Sequence, residues 1–400
     1  MNVQNDNKGI EAESAPAGTA SGPLCLAESE REGLGQVVFV FQGGGALGAY
    51  QAGVFQALQE GGIAPDWIIG TSIGAINAAI IAGNTRENRL PRLREFWRRV
   101  KHHPLSAMAG ATPFLGQTMS NAFTIAHGIK GFFEPNPWAF LGPQMRLGAE
   151  FAGYYNTAPL ARTLYELVDF DIINSGKTRL TVGAATVRTG EMKYFDSREM
   201  TLDVKHILAS GALPPAFPAV RIEGELYWDG GVLSNTPVER VFDEYPRYSG
   251  VIFAVHMWNP QGDEPDTIWK VMSREKDIRY ASRAHNHIIR QKQLHKLRHV
   301  ITRLAELLPD DIRAKEIAQE LEGYGCDTVM HVVRLLAPPV LGEDHSKDID
   351  FSPGGIRQRW DAGYIDTSRV LMQKPWEKPH DKLEGFVLHE AAAGKMMFEG

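Results

Sequence analysis

Between residues 36 and 83 the chain runs twice through one pattern: an apolar run, a turn of small residues, and a helix-like stretch. QVVFVFQ, beginning at Gln36, is unbroken in its apolar character, as suits a strand covered on both faces in a parallel sheet. It empties into Gly43, Gly44 and Gly45. Leu47, Tyr50, Val54 and Leu58 then recur at helical spacing until Gly61 and Gly62. DWIIG, residues 66–70, reads as a second strand, and residues 73–83 as a helix apolar on nearly every side, hence buried. Strand, helix, strand, helix within about fifty residues predicts a layered α/β fold.

Further on the texture changes. Residues 104–153 are poor in charge and rich in aromatics (Phe114, Phe123, Phe132, Phe133, Trp138, Phe140), a composition that suits an acyl channel or lid as well as a core closing over a site. RLTVGAATV and EMKYF resemble a hairpin, HILASGALPPAF a helix ended by prolines, and GVIFAVHM another core strand. Beyond Gln261 the pattern becomes mainly helical. Residues 277–308 carry Tyr280, Ala284, Ile288, Leu294, Leu297, Ile301, Leu304 and Leu308 as an apolar stripe among many Lys and Arg. That stripe is expected to pack on the body, leaving the basic face solvated; an anionic membrane surface is the alternative. TVMHVVRLL reads as a late strand, and Ser352 before Pro353 as a helix start.

A net charge of −6 argues against a nucleic-acid partner. Two cysteines, Cys25 and Cys326, allow no disulfide framework, which suits a reducing, cytoplasmic setting. The first 34 residues are rich in Ala, Gly, Ser and Glu, unlike a secretory signal, and are expected to form a disordered tail. No apolar run is long enough to span a bilayer as a helix, so any membrane contact is expected to be peripheral.

Three short motifs carry the chemistry. The glycine turn after the first strand offers bare backbone N–H groups to negative charge. GTSIG, residues 70–74, puts Ser72 on a tight strand-to-helix turn between Gly70 and Gly74, where a nucleophile is held clear of the backbone. YWDGGVLSNTPV, residues 227–238, sets Asp229 between bulky aromatics and two glycines, where partial desolvation would raise its pKa toward that of a useful base. Read singly, each has a bland explanation, such as a turn aspartate capping its own loop. Taken in order, FQGGGALGAYQAGV, GTSIGAINA and DGGVLSNTPV resemble the patatin-like phospholipases, and ASGALPPAFP resembles the segment that precedes that family's catalytic aspartate.

The resemblance covers residues 37–257 and implies a three-layer α/β/α fold with a mostly parallel sheet. It implies a lipid acyl hydrolase with Ser72 as nucleophile and Asp229 as base. The N–H groups of Gly43, Gly44, Gly45 and Ala46 would form the oxyanion hole, with no cofactor or metal. The expected organisation is a tail over 1–34, a catalytic domain over 35–262 and a helical C-terminal extension over 263–400. Leu47 departs from the family pattern, which commonly has Arg or Lys there, and this weakens the expectation of a phospholipid head group. A non-phospholipid ester, a thioester or a polyester remains an alternative substrate, and a non-catalytic binding module an alternative role.

Rival readings fit less well. Gly43, Gly45 and Gly48 satisfy a dinucleotide fingerprint, but the second strand ends in Thr71 and Ser72 rather than in an acidic residue. No Lys-Ser/Thr pair follows the glycines, so a nucleotide P-loop is excluded. An α/β-hydrolase would place its serine after several strands and pair it with a histidine; His256, His285 and His287 follow Asp229 without a partner motif.

Overall fold

A computed structural model describes residues 26, 31, 33–101, 126–142, 144–340, 343, 345–381 and 383–391. Most of the expected tail over 1–34 lies outside these residues. Within it Leu26 is buried and donates its N–H to the carbonyl of Gly61 (3.0 Å).

β1 (Gln36–Phe41) and β2 (Trp67–Thr71) are parallel neighbours joined by α1 (Ala49–Glu60). α2 (Ile73–Ala82), buried along its whole length, and α3 (Arg86–Arg99) follow. A small hairpin of β3 (Glu134–Pro135) and β4 (Tyr155–Asn156) precedes α4 (Ala158–Leu167) and α5 (Phe170–Asn174). β5 (Arg179–Thr186) then lies parallel to β2, with β6 (Met192–Asp196) antiparallel on it. α6 (Val204–Ser210), β7 (Val220–Ile222), β8 (Glu225–Asp229) and α7 (Glu239–Phe242) lead to β9 (Gly250–His256), parallel to β1 on its other side. Last come α8 (Ile268–Glu306), α9 (Asp310–Arg313), α10 (Glu316–Glu322), β10 (Met330–Leu336), α11 (Pro353–Gln373) and β11 (Phe386–Ala391).

The strand order is β11-β10-β9-β1-β2-β5-β8-β7, with β6 also paired to β5. Strands β11 through β5 run parallel; β6 and β8 run antiparallel to β5, and β7 antiparallel to β8. The alternation within β1 explains the layers. Val37, Phe39 and Phe41 join one core with Phe55, Ile76 and Ile80, while Val38 and Val40 join another with Val241, Phe242 and Ile288. Helices therefore cover both faces, which is why the strand reads as a continuous apolar run.

The region beyond residue 263 carries α8 to α11, and it also supplies β10 and β11, which extend the same sheet outward from β9. α11 starts at Ser352, whose hydroxyl accepts the Gly355 N–H (3.1 Å), and it packs on α1 with Tyr50 donating to Asp366 (3.0 Å). The expected packing of the stripe over 277–308 holds for only part of its length. Ile288 is buried, but Leu294, Leu297 and Leu304 are 37%, 59% and 58% exposed. The buried face instead carries Gln291, His295, His299 and Ala305. His295 and His299 each bring Nε2 to 2.9 Å from the Thr328 carbonyl, and this anchorage turns the leucine row outward. Ala284 lies among side chains outside the description. No helix among the described residues is long and apolar enough to cross a membrane.

Candidate active site

Sheet register assembles the site. Phe41 pairs with Gly70, Thr71 with Gly183, and Ala184 with Asp229, so the ends of β1, β2 and β8 meet at one level. Ser72 follows Thr71 with φ +57° and ψ −125°, a region that a residue with a side chain adopts only under constraint. The flanking glycines allow the turn to close: a Cβ on Gly74 would stand 2.3 Å from the Phe41 carbonyl oxygen, and one on Gly70 2.4 Å from that of Gly74. This crowding is the physical content of the GTSIG pattern.

Asp229 ends β8 and is 1% exposed. Its Oδ1 accepts the Gly231 N–H (2.7 Å), and the Ser72 side chain stands close enough to act on the carboxylate. Burial pushes the carboxyl up to about 7, against the opposing pull of these two groups. Ser72 and Asp229, 157 positions apart in sequence, are brought to the wall of one cavity.

The glycine turn divides its N–H groups. Gly43 donates to the side-chain oxygen of Asn235 (3.1 Å) and to its carbonyl (3.2 Å). The Gly43 carbonyl accepts from Asn235 Nδ2 (3.0 Å) and Trp258 Nε1 (2.8 Å). Gly43 is thus held on both sides, and its N–H is not aimed at the cavity. Gly44 and Gly45 line the cavity, whereas Ala46 is buried and does not. Gly45 and Ala46 begin the short 3-10 turn Gly45–Gly48, where the first N–H groups have no partner within the turn. Gly45 adopts φ +56°, with the Asp348 carbonyl oxygen 2.2 Å from where its Cβ would be.

Ser72, Asp229, Gly44 and Gly45 face a cavity of about 240 Å³ whose remaining wall is chiefly apolar: Ile73, Ile76, Leu160, Leu208, Leu213, Phe132, Phe133 and Phe217. Of the aromatic residues expected to line an acyl channel or close the core, Phe132 and Phe133 line this cavity, while Trp138 is exposed. Phe114, Phe123 and the Phe140 side chain lie outside the described residues. The C-terminal region contributes Tyr280, Asp348, Ile349 and Phe351 to the wall. Crossed ion pairs fasten that segment to α8, with Lys276 on Asp348 and Lys347 on Asp277, each 2.7 Å.

No histidine lines the cavity among the described residues; His256 is buried at the end of β9. Leu47 is buried, so position 47 brings no cation to the turn. No group of three or more His, Cys, Asp or Glu among the described residues is placed to hold a metal ion. Asn235 and Trp258 escape a reading from sequence because their work is done on a backbone 192 and 215 residues away. Asn235 stands among the polar residues of SNTP, with nothing in the sequence to say what it holds.

A serine hydroxyl beside a buried carboxylate, near N–H groups at a turn and under an apolar wall, has the groups needed to attack an ester carbonyl and stabilise the resulting oxyanion. The family model described as Patatin-like phospholipase matches residues 39–242, just over half the chain, and one described as Patatin phospholipase matches residues 278–383. A search of curated protein sequences returned no match. Among solved structures, VipD from Legionella pneumophila aligns at 16% identity and a TM-score of 0.39, covering 89% of this chain and 71% of its own. The type III effector ExoU aligns at 16% identity and a TM-score of 0.28, covering 84% of this chain and 53% of its own. ExoU in complex with SpcU, from Pseudomonas aeruginosa, aligns at 18% identity and a TM-score of 0.27, covering 72% of this chain and 58% of its own. On the match over residues 39–242, the chain belongs to the patatin-like phospholipase family.

Proposed function

We propose that the protein hydrolyses carboxylic esters of lipids through a Ser72–Asp229 dyad. The observation that carries the reading is Ser72, on its strained turn, sharing the wall of an apolar cavity with a fully buried Asp229 whose carboxyl its side chain acts on. Ionised Asp229 takes the proton of Ser72 as its oxygen attacks the ester carbonyl, and the C–O bond to the alcohol breaks as the tetrahedral intermediate collapses. Protonated Asp229 returns the proton to the leaving alcohol. Water, deprotonated by the same carboxylate, then cleaves the acyl-serine. Gly44 and Gly45 supply N–H groups to the oxyanion, and one well-placed donor contributes roughly 3 kcal/mol in such sites.

The apolar wall supports an acyl chain as the recognised group, and family membership supports a lipid. With leucine at position 47, a phosphate head group has no dedicated cation in the turn. An ester without a phosphate therefore remains the second reading. A lipid substrate also implies contact with a lipid surface. The outward row of Leu294, Leu297 and Leu304 lies on α8, a helix with ten Lys and Arg against three Asp and Glu, and that charge matches an anionic leaflet.

The test is hydrolysis of p-nitrophenyl esters of graded acyl length by wild type, Ser72→Ala and Asp229→Asn. Loss of activity in both variants, with rates in wild type rising with chain length, is the expected result. Activity confined to short esters favours the second reading, and activity surviving Ser72→Ala removes the nucleophile.

A further inference from the structure

α6 ends at Ser210, followed by Gly211 and Ala212, in the ASGALPP segment that the dyad leaves without a task. Ser210 is fully buried. Its hydroxyl donates to the Gly183 carbonyl (2.7 Å) and accepts the backbone N–H of Ser72 (3.1 Å). Two residues later, the Ala212 carbonyl accepts the backbone N–H of Asp229 (2.9 Å). One turn of chain therefore holds the backbones of both members of the dyad. Gly183, which anchors the Ser210 hydroxyl, is itself the β5 residue opposite Thr71, and its neighbour Ala184 pairs with Asp229. The hydroxyl thus sits at the junction of the three strands that carry the site.

We propose that Ser210 is a positioning residue that sets the Ser72 side chain on the Asp229 carboxylate. The proposal rests on the dyad reading and deepens it. Ser72 occupies a left-handed conformation at the first cap of α2, where its N–H has no intrahelical acceptor. A strained turn persists only when its surroundings over-determine it. A buried hydroxyl that accepts from this N–H while donating to Gly183 supplies that determination with one atom. Alanine can do neither. The same bond occupies the Ser72 N–H, so that group is not a donor to the oxyanion, and the task is left to the turn after β1.

The experiment compares wild type, Ser210→Ala, Ser210→Thr and Ser72→Ala on one p-nitrophenyl ester. Turnover is expressed per serine titrated by a fluorophosphonate probe. For Ser210→Ala, kcat per titrated site should fall roughly ten- to a hundredfold, the scale of a displaced reacting group, with KM within about twofold. The rate of fluorophosphonate labelling should fall in parallel. Ser210→Thr, which keeps the hydroxyl, should recover most of both. If the added methyl prevents folding, Ser210→Cys takes its place, with activity expected between serine and alanine. An unchanged kcat per titrated site, with only fewer sites titrating, would mean that Ser210 serves folding alone and overturns the proposal. So would a rise in KM at constant kcat, or a folded Thr or Cys variant no better than alanine. Ser72→Ala separates the two layers of argument. If it stays active the dyad itself fails, whereas if it is dead while Ser210→Ala keeps wild-type kcat, only the positioning role fails.

Discussion

Replacing Asp229 by asparagine should make the protein more stable and abolish its turnover, and both effects have one cause. The carboxyl is buried and pushed from 3.8 to about 7 by desolvation. At ~1.36 kcal/mol per pKa unit, ionising it in the folded chain is ~4 kcal/mol harder than in the unfolded chain. The folded pKa lies above the unfolded one, so the folded state holds a proton that the unfolded state releases. The stabilising contribution is therefore complete below about pH 4 and is lost as pH rises through about 7. Between about pH 5 and about pH 8.5, this single site costs wild type ~2–3 kcal/mol, and asparagine, which does not titrate, costs nothing over the same interval. Urea unfolding of both proteins at the two pH values reads the effect, because other titrating groups cancel in the difference. The advantage of Asp229→Asn should grow by ~2–3 kcal/mol from the lower pH to the higher. A difference that stays constant with pH would refute the claim that burial sets this group's ionisation. Over the same window, kcat/KM of wild type should climb through about pH 7 as the base ionises.

Asn235→Ala removes two of the four bonds that hold the Gly43 backbone, leaving those to the residue-235 carbonyl and Trp258, and should lower kcat roughly tenfold, measured beside a loss of ~1–3 kcal/mol in urea for the two bonds. Ala216→Trp projects an indole into the apolar cavity and should shift preference from long to short p-nitrophenyl esters, with short-ester kcat retained; an unchanged chain-length profile would place the acyl group elsewhere. Arg179 lies buried between Asp196 (2.8 Å) and Glu244 (2.8 Å), so Arg179→Met should destabilise the fold by ~3–5 kcal/mol in urea, by stranding the Asp196 charge. Glutamate at both Leu297 and Leu304 should reduce co-sedimentation with anionic vesicles while leaving hydrolysis of a soluble ester unchanged; equal co-sedimentation would remove that face from membrane contact.

What could be read from sequence follows from how local each signal was. β1, α1, β2 and α2 were legible because both faces of β1 and all sides of α2 are buried, so their patterns owe little to distant neighbours. GTSIG was legible because crowding between Gly70, Gly74 and Phe41 excludes every side chain there. The bond from Gly43 to Asn235 was not, because a glycine with a free N–H and one with a clamped N–H look alike in sequence. The leucine row of α8 was misplaced for a related reason. Periodicity identifies an apolar stripe, but it was two histidines reaching the Thr328 carbonyl that decided which face turned inward. Asp348 and Phe351, more than a hundred residues beyond Asp229, gave no sign of their place in the cavity wall, because a wall residue needs only bulk and position.

In the proposed dyad, where no histidine among the described residues lines the cavity, burial is the central device of the site. A carboxylate in water is nearly three pKa units too acidic to share a serine proton near neutrality, and a triad overcomes this with an imidazole. Here the same adjustment is supplied by desolvation, since among the described residues the Ser72 side chain and the Gly231 N–H pull the pKa of Asp229 down and no cation does. Such a base works only while water stays out. The apolar wall, including Phe351 held by a segment fastened to α8, therefore acts on the base as well as on the acyl chain. α8 and the segment around Asp348 and Phe351, which no catalytic motif announces, are therefore part of what tunes the aspartate.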